Sequence, residues 1–282
     1  MSEAEREPAI QRILVALDVS SYSLAALDAA AELAAGLRAE LLGLFVEDIN
    51  LVRVADLPFS REMGLFSATV RQFDRREVER QFQVQAERAR QALMLIAGQA
   101  QVRWAFRVTR GPVASEVLAA ASEADLIALG KVGWSLAGPA RLGSTAHAVV
   151  SETPRPALIL QGRVRPGAPM LVVYDGSPGA HAALAVATHL ARRANRQLTV
   201  LIVADGSASA SRLQAHADAW LWARGLRARS HRLIRADTPT LAAAVRAEGS
   251  CVLVLPGESP LRQGQALARL LSEVECSVLL VD

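Results

Sequence analysis

The sequence predicts an α/β fold made of two tandem, doubly wound domains, each with a parallel five-stranded sheet. Its short apolar runs, such as Ile13–Leu17 and Leu126–Leu129, lack polar alternation, which is typical of parallel strands buried on both faces. Helical patterns lie between these runs, as in the alanine-rich segment Leu24–Leu37. A chain of 282 residues is long enough for two such domains.

The strands of the first half recur in the second half. Leu171–Ser177 resembles Leu14–Ser20, and Asp175 takes the place of Asp18. Three further apolar segments follow in the order expected of a repeat: Gln197–Val203, Ser250–Leu255 and Ser277–Val281. Glycine, proline and arginine interrupt the pattern at Gln161–Pro169, as expected for a linker. We therefore predict one domain over residues 1–162 and a second over residues 168–282.

Local signals place two helices of the first half. Ser20 and Ser21 are suited to cap the helix Leu24–Leu37, because serine hydroxyls accept hydrogen bonds from the first helical N–H groups. Pro112 favours a helix start directly before Val113–Ser122.

Each half ends in an apolar strand, Pro156–Leu160 in the first and Ser277–Val281 in the second. A bare strand edge of this kind promotes aggregation. We therefore expect the two strands to pair within one chain, as an intramolecular pseudo-dimer. A homodimer, if one forms, would then use other surfaces, such as the segment Leu51–Phe66.

A glycine-rich segment follows the strand that ends at Leu129. It reads Gly130-Lys131-Val132-Gly133, then nine residues, then Gly143-Ser144-Thr145. Glycines let the backbone approach an anion, and a helix that starts here presents N–H groups to phosphate. The two hydroxyls add donors, or a ligand for phosphate-bound Mg²⁺. Glycine-rich turns also occur without a ligand, so the spacing alone leaves both interpretations open.

In its context, this segment resembles the Gly-x2-Gly-x9-Gly-Ser/Thr nucleotide loop of the ATP-binding universal stress proteins. The loop follows the fourth predicted strand, Asp18 ends the first strand and Val46 lies near the end of the second, as in that family. The resemblance implies that Asp18 contacts the base and sugar and that Val46 contacts adenine. It implies ATP with Mg as ligand, with Mg held through the phosphates and Ser144. The implied nucleotide-binding residues are Ala16, Asp18, Val46, Leu129, Gly130, Gly133, Arg141, Gly143, Ser144 and Thr145.

Several of these residues and their neighbours have a second interpretation. The alternative role of Asp18 is to cap the following helix, for which Ser20 and Ser21 compete. Lys131 either contacts phosphate or faces solvent, and Arg141 is the better placed cation. Trp134 either covers the ligand or packs against a neighbouring subunit. His147, one turn into the following helix, is expected to be solvated.

The second half has a degenerate loop. Only six residues separate Gly257 from Gly264, whereas twelve separate Gly130 from Gly143. Pro260 stands in the place of Gly133, and proline removes a backbone donor. We therefore predict one nucleotide site per chain, in the first half.

The first half also carries extra sequence after its second strand. Leu51–Phe66 is apolar but irregular, and a charged helix is predicted from about Ser67 to Ala97. One stripe of this helix is apolar, comprising Val70, Phe73, Val78, Phe82, Ala86, Ala89 and Leu93, and another is polar, comprising Arg71, Arg75, Glu79, Gln83, Glu87 and Arg90. Two interpretations of this extra sequence remain open: a surface helix packed on the sheet, and a lid or partner surface.

Composition argues against several classes of protein. The formal net charge is +3, and no run of five basic residues occurs, so we predict no nucleic-acid binding. No apolar run reaches the length of a membrane span, so we predict no membrane insertion. From the polar start Met1–Pro8 we expect no secretory signal. Cys251 and Cys276 fall in or beside predicted strands, as expected for reduced cysteines in the cytoplasm.

Motifs for catalysis are absent from the sequence. It has no Gly-x-Ser-x-Gly or Walker motif, and its five histidines are scattered without the spacing of a metal site. No residue pair is placed to position an attacking water, so ATP hydrolysis would be slow at most. The best-fitting function is an ATP-binding regulator or sensor of a stress response, with an unknown protein partner. An adaptor that works without nucleotide and an adenylate-transferring enzyme are the alternatives.

Overall fold

The computed structural model describes residues 10–57, 59–63, 70–72, 74–132, 142–153, 155–162, 165, 167–249, 251–257 and 266–281. The strands are β1 Arg12–Ala16, β2 Glu40–Asp48, β3 Arg61–Met63, β4 Val70–Gln72, β5 Trp104–Gly111, β6 Leu126–Gly130, β7 Ala157–Leu160, β8 Met170–Tyr174, β9 Leu198–Ala204, β10 Arg229–Ile234, β11 Val252–Pro256 and β12 Ser277–Val281. The helices are α1 Ser21–Leu37, α2 Ile49–Ala55, α3 Arg75–Gln99, α4 Val113–Ala121, α5 Ser144–Glu152, α6 Pro178–Arg193, α7 Ser207–Trp222, α8 Thr238–Ala247 and α9 Ala266–Glu273. Within these ranges no helix is both long and apolar enough to cross a membrane.

Ten strands form one sheet in the order β10-β9-β8-β11-β12-β7-β6-β1-β2-β5. Neighbouring strands are parallel within each half, which confirms the predicted α/β fold. The halves meet where β7 and β12 pair antiparallel, with Leu158 opposite Leu279. The two closing strands therefore pair within one chain, as their apolar sequences predicted. Outward from this pair, both halves have the same strand order, so the two five-stranded sheets are continuous.

The start of α1 is fixed by a serine cap. The hydroxyl of Ser20 accepts a hydrogen bond of 3.2 Å from the backbone N–H of Ser23, so the helix begins at Ser21. Val19, directly before the cap, has a φ of 63°. This left-handed conformation is strained for a β-branched residue. At the corresponding turn of the second half, Gly176 adopts a φ of 82° without that strain.

The extra segment of the first half differs from the prediction. The part expected to be irregular begins as a helix, α2, because Asp48 caps it through the N–H of Asn50 at 2.9 Å. The charged helix α3 begins at Arg75 rather than near Ser67, because Asp74 provides its cap. Val70 and Arg71 instead belong to the short hairpin of β3 and β4.

The apolar stripe of α3 packs on the sheet, as predicted for a surface helix. Val78, Phe82, Ala89 and Leu93 are buried. Gly43 of β2 permits the close approach, because an added Cβ there would lie 2.6 Å from Cδ2 of Leu93. Helix α3 therefore packs against the sheet as a wall of the first half.

Candidate functional site

A cleft of about 300 Å³ opens at the carboxyl ends of β1, β2 and β6. The chain leaves β1 to form β2 on one side and returns later to form β6 on the other side. In α/β sheets, ligands bind at such a switch point. Eight of the ten predicted binding residues line the cleft: Ala16, Asp18, Val46, Leu129, Gly130, Gly143, Ser144 and Thr145. Gly133, Arg141 and the neighbouring Trp134 lie outside the described residues.

Helix α5 begins in this cleft and carries no side-chain cap. Gly143 is the N-cap residue, with φ at −62° and no side-chain hydrogen bond to the first turn. Its own N–H donates to the carbonyl oxygen of Lys131 at 2.8 Å, which closes the base of the loop. The side chain of Ser144 is exposed and Thr145 is half-buried. A helix start of this kind attracts anions through its N–H groups and its dipole.

Gly130 has a packing role that the sequence analysis did not identify. A Cβ at this position would lie 2.7 Å from Cβ of Tyr22 and 2.9 Å from the backbone carbon of the same residue. Glycine is therefore needed for the first turn of α1 to approach the end of β6. The two elements that form the cleft are brought together by this contact.

Asp18 does not cap α1, because Ser20 has that position. Oδ1 of Asp18 instead accepts a hydrogen bond of 2.9 Å from the backbone N–H of Ser20. This bond orients a half-buried carboxylate at the wall of the cleft. Of the two interpretations of Asp18, the structure rules out the helix cap.

The structure contradicts the interpretation in which Lys131 faces solvent. Its side chain is only 5% exposed. Its Nζ atom donates to the carbonyl oxygen of Leu271 at 2.6 Å and to Oε1 of Gln161 at 2.9 Å. Burial lowers the pKa of the ammonium group. The side chain thus links the loop to α9 in the second half.

The cleft also has walls that were not predicted as binding residues. Leu51 of α2, Phe82 and Gln85 of α3, and Val113 of α4 contribute to its lining. The apolar stripe in the sequence of α3 predicted that Phe82 is buried. It did not predict that Phe82 lines the cleft, because this depends on the direction in which α3 crosses the sheet. His147 is exposed on α5, as predicted. Among the described lining residues Lys131 is the only cation, and its ammonium group is bound elsewhere.

The strand ends of the second half border a different cleft, of about 280 Å³. Asp175, Asp205 and Arg235 are its charged residues. Residues 258–265, which include the shortened loop, lie outside the described part of the chain. The cysteines Cys251 and Cys276 are both free and buried, as predicted.

Comparisons with known proteins agree with this architecture. The model of the universal stress protein family matches residues 9–161. The crystal structure of a universal stress protein from Archaeoglobus fulgidus DSM 4304 has 15% identity and a TM-score of 0.74, and the match covers 98% of this chain and 99% of that one. A putative universal stress protein from Pseudomonas aeruginosa UCBPP-PA14 has 15% identity and a TM-score of 0.63, over 98% and 94% of the two chains. A search of the curated proteins found no match.

A similar fold is found in a domain of a transport protein. The cytoplasmic domain of a prokaryotic cation chloride cotransporter matches with 9% identity and a TM-score of 0.55, over 96% of this chain and 95% of that one. Fold therefore does not fix function here, and at these identities the structural matches show the fold alone. The family model, in contrast, spans more than half of the sequence. On that match, the chain belongs to the universal stress protein family.

Proposed function

We propose that this chain binds ATP in the cleft of its first half and acts as a nucleotide-dependent regulator or sensor in a stress response. One observation carries the proposal. Residues from three strand ends and one helix start, chosen from the sequence for nucleotide binding, line a single cleft of about 300 Å³. That volume lies within the usual range of small-molecule sites.

Each part of the cleft has a separate role in this proposal. The uncapped start of α5 and the loop backbone hold the phosphates. The carboxylate of Asp18 accepts hydrogen bonds from the ribose or base, and Val46 packs against adenine. Arg141 and Gly133 complete the phosphate site in the part of the loop that is not described.

Magnesium fits this site as a companion of the phosphates. The exposed hydroxyl of Ser144 is an oxygen ligand of the type that Mg²⁺ prefers. Within the described residues, no cluster of three histidine, cysteine, aspartate or glutamate side chains could hold a metal ion. Mg²⁺ would therefore enter with ATP and neutralise phosphate charge.

We further propose two domains, over residues 1–162 and 168–282, with nucleotide bound only by the first. The identical strand order of the two halves supports this division. The shortened loop between Gly257 and Gly264 supports a single site. ATP hydrolysis is expected to be slow at most, because the sequence shows no motif for activating water. The buried free cysteines fit a reducing cytoplasm.

A protein partner has a candidate surface next to the cleft. Leu51 and Val54 of α2 are 45% and 46% exposed, and Phe59 beyond the helix is 90% exposed. Leu51 and Val54 are three residues apart on one helix and therefore share a face, and exposed apolar faces mark interaction sites. Leu51 also lines the cleft. A partner on α2 would therefore sense whether the cleft is filled.

The proposal is tested by mass spectrometry of the small molecules that the purified chain releases on denaturation, followed by titration of the emptied protein with Mg-ATP. Release of an adenine nucleotide, or saturable binding of Mg-ATP, supports it. An emptied and folded protein that binds no adenine nucleotide would favour the adaptor that works without nucleotide.

A further inference from the structure

We propose a second ligand site in the other half of the chain: a divalent transition-metal ion bound by Tyr174, His181 and His216. These residues come from three elements, β8, α6 and α7, and they lie apart from the nucleotide cleft. The hydroxyl oxygen of Tyr174 is 2.9 Å from Nε2 of His181 and 2.9 Å from Nδ1 of His216. The two histidine nitrogens are 3.4 Å apart.

These three separations suit one shared ion. Zinc binds nitrogen and oxygen ligands at about 2.0 to 2.1 Å, so two ligands on the same ion lie about 2.9 Å apart at a right angle and about 3.4 Å apart at the tetrahedral angle. The two nitrogens and the oxygen are therefore close enough together to bind the same side of one ion. Imidazole ligands suit zinc, copper and nickel. Three protein ligands leave a fourth position for water.

The surroundings prepare His181 for this role. Its Nδ1 lies 2.8 Å from the backbone carbonyl oxygen of Ser177, so Nδ1 carries the proton and donates it there. Nε2 then presents its lone pair to Tyr174 and His216. Metal-binding histidines are commonly held in this way by a carbonyl group.

The fold does not require these polar groups. Tyr174 and His181 correspond to Leu17 and Leu24 in the repeat alignment, so the first half has apolar residues at both positions. Tyr174 is fully buried, whereas His216 is exposed and gives an ion a route from solvent.

Metal binding would release a proton. A tyrosine hydroxyl has an ordinary pKa of about 10, so it carries its proton at neutral pH. As the metal–oxygen bond forms, the O–H bond breaks and the proton passes to the buffer. No electron is transferred in this step.

The test uses untagged full-length protein titrated with Zn²⁺ by calorimetry and by ultraviolet difference absorption of the phenolate. We expect one high-affinity ion per chain and about one proton released per ion. Tyr174→Phe removes only the hydroxyl and leaves Tyr22 as the sole tyrosine, so the phenolate signal should vanish. It should also weaken Zn²⁺ binding by at least about tenfold.

Two further variants make the result decisive. His216→Gln replaces an exposed side chain, so this variant should fold even if Tyr174→Phe does not. It should weaken Zn²⁺ binding to the same degree as Tyr174→Phe. His231→Gln changes another exposed histidine of this half, beside Glu248, and should leave binding unchanged. Absence of tight Zn²⁺ binding, or equal binding by His216→Gln and the wild type, would overturn the site and leave a purely structural hydrogen-bond cluster.

Discussion

The Nζ atom of Lys131 lies 2.6 Å from the carbonyl oxygen of Leu271, so the loop of the candidate nucleotide cleft is bonded to helix α9 of the other half. Lys131 is the only lysine of the chain. Its second acceptor, Gln161, donates in turn to the carbonyl oxygen of Cys276 at 3.0 Å. The buried cation therefore ties the two halves together beside the β7–β12 junction.

Lys131→Met should lower stability and leave ATP affinity nearly unchanged. The variant leaves the carbonyl of Leu271 and the side chain of Gln161 without their shared donor, at a cost of about 1 to 3 kcal/mol in the free energy of unfolding. Because the ammonium group is already bonded to these two acceptors, the dissociation constant for ATP should change by less than about threefold, or 0.7 kcal/mol. Urea unfolding and calorimetry measure the two quantities. A tenfold loss of affinity at unchanged stability would instead make Lys131 a phosphate ligand.

The same lysine predicts a dependence of stability on pH. Burial lowers its pKa below the ordinary value of 10.5. Between the lowered and the ordinary pKa, the unfolded chain binds more protons than the folded chain, so stability rises with pH over that interval. The free energy of unfolding of the wild type, minus that of Lys131→Met, should therefore increase as pH approaches 10.5. The other titrating groups are common to both proteins, so their contributions to the pH dependence cancel in this difference. A difference that falls with rising pH would contradict the assignment.

Two glycine variants in the same half should have opposite effects. Gly43→Ala places a methyl group 2.6 Å from Leu93 and 3.2 Å from Phe106, and such overpacking costs about 1 to 3 kcal/mol. Gly98→Ala meets nothing within 4 Å and lies in helix α3, so it should gain up to about 1 kcal/mol. Thermal unfolding of both variants gives the comparison. Equal effects would mean that α3 does not pack on β2 as described.

Val19→Gly should stabilise the protein. Val19 holds a φ of 63° in the turn before α1, and release of this strain is worth roughly 1 kcal/mol after the entropy of glycine is counted. The matched change Gly176→Val in the second half should destabilise, because the left-handed φ is combined there with a Cβ only 2.5 Å from Leu213. Unfolding midpoints of the two variants test this. A loss of stability in Val19→Gly would show that the valine side chain matters more than its backbone strain.

Sequence reasoning worked best where one local pattern fixes the geometry. Asp18, Val46 and Gly130 end neighbouring parallel strands, and the topology of a parallel sheet brings such ends to one edge. The pairing of β7 with β12 followed from their apolar sequences, because a bare apolar edge is unfavourable in water.

Tertiary contacts between residues far apart in the chain could not be predicted from the sequence. Lys131 and Leu271 are 140 residues apart, and no periodicity links them. His181 and His216 are 35 residues apart on different helices, so their spacing carries no metal-site signal. The short helix α2 was missed because seven residues are too few for a clear helical period.

Calorimetric titration of the full-length chain with Mg-ATP tests the central claim most directly. We predict one ATP per chain, and at least tenfold weaker binding, or about 1.4 kcal/mol, when Gly133→Val and Gly143→Val are combined. The fold should persist, because Gly143 has a φ of −62° that other residues also adopt. Gly264→Val, at the matched position of the second half, should bind as the wild type does. Two ATP per chain, or unchanged affinity in the folded double variant, would contradict a single nucleotide site in the first half.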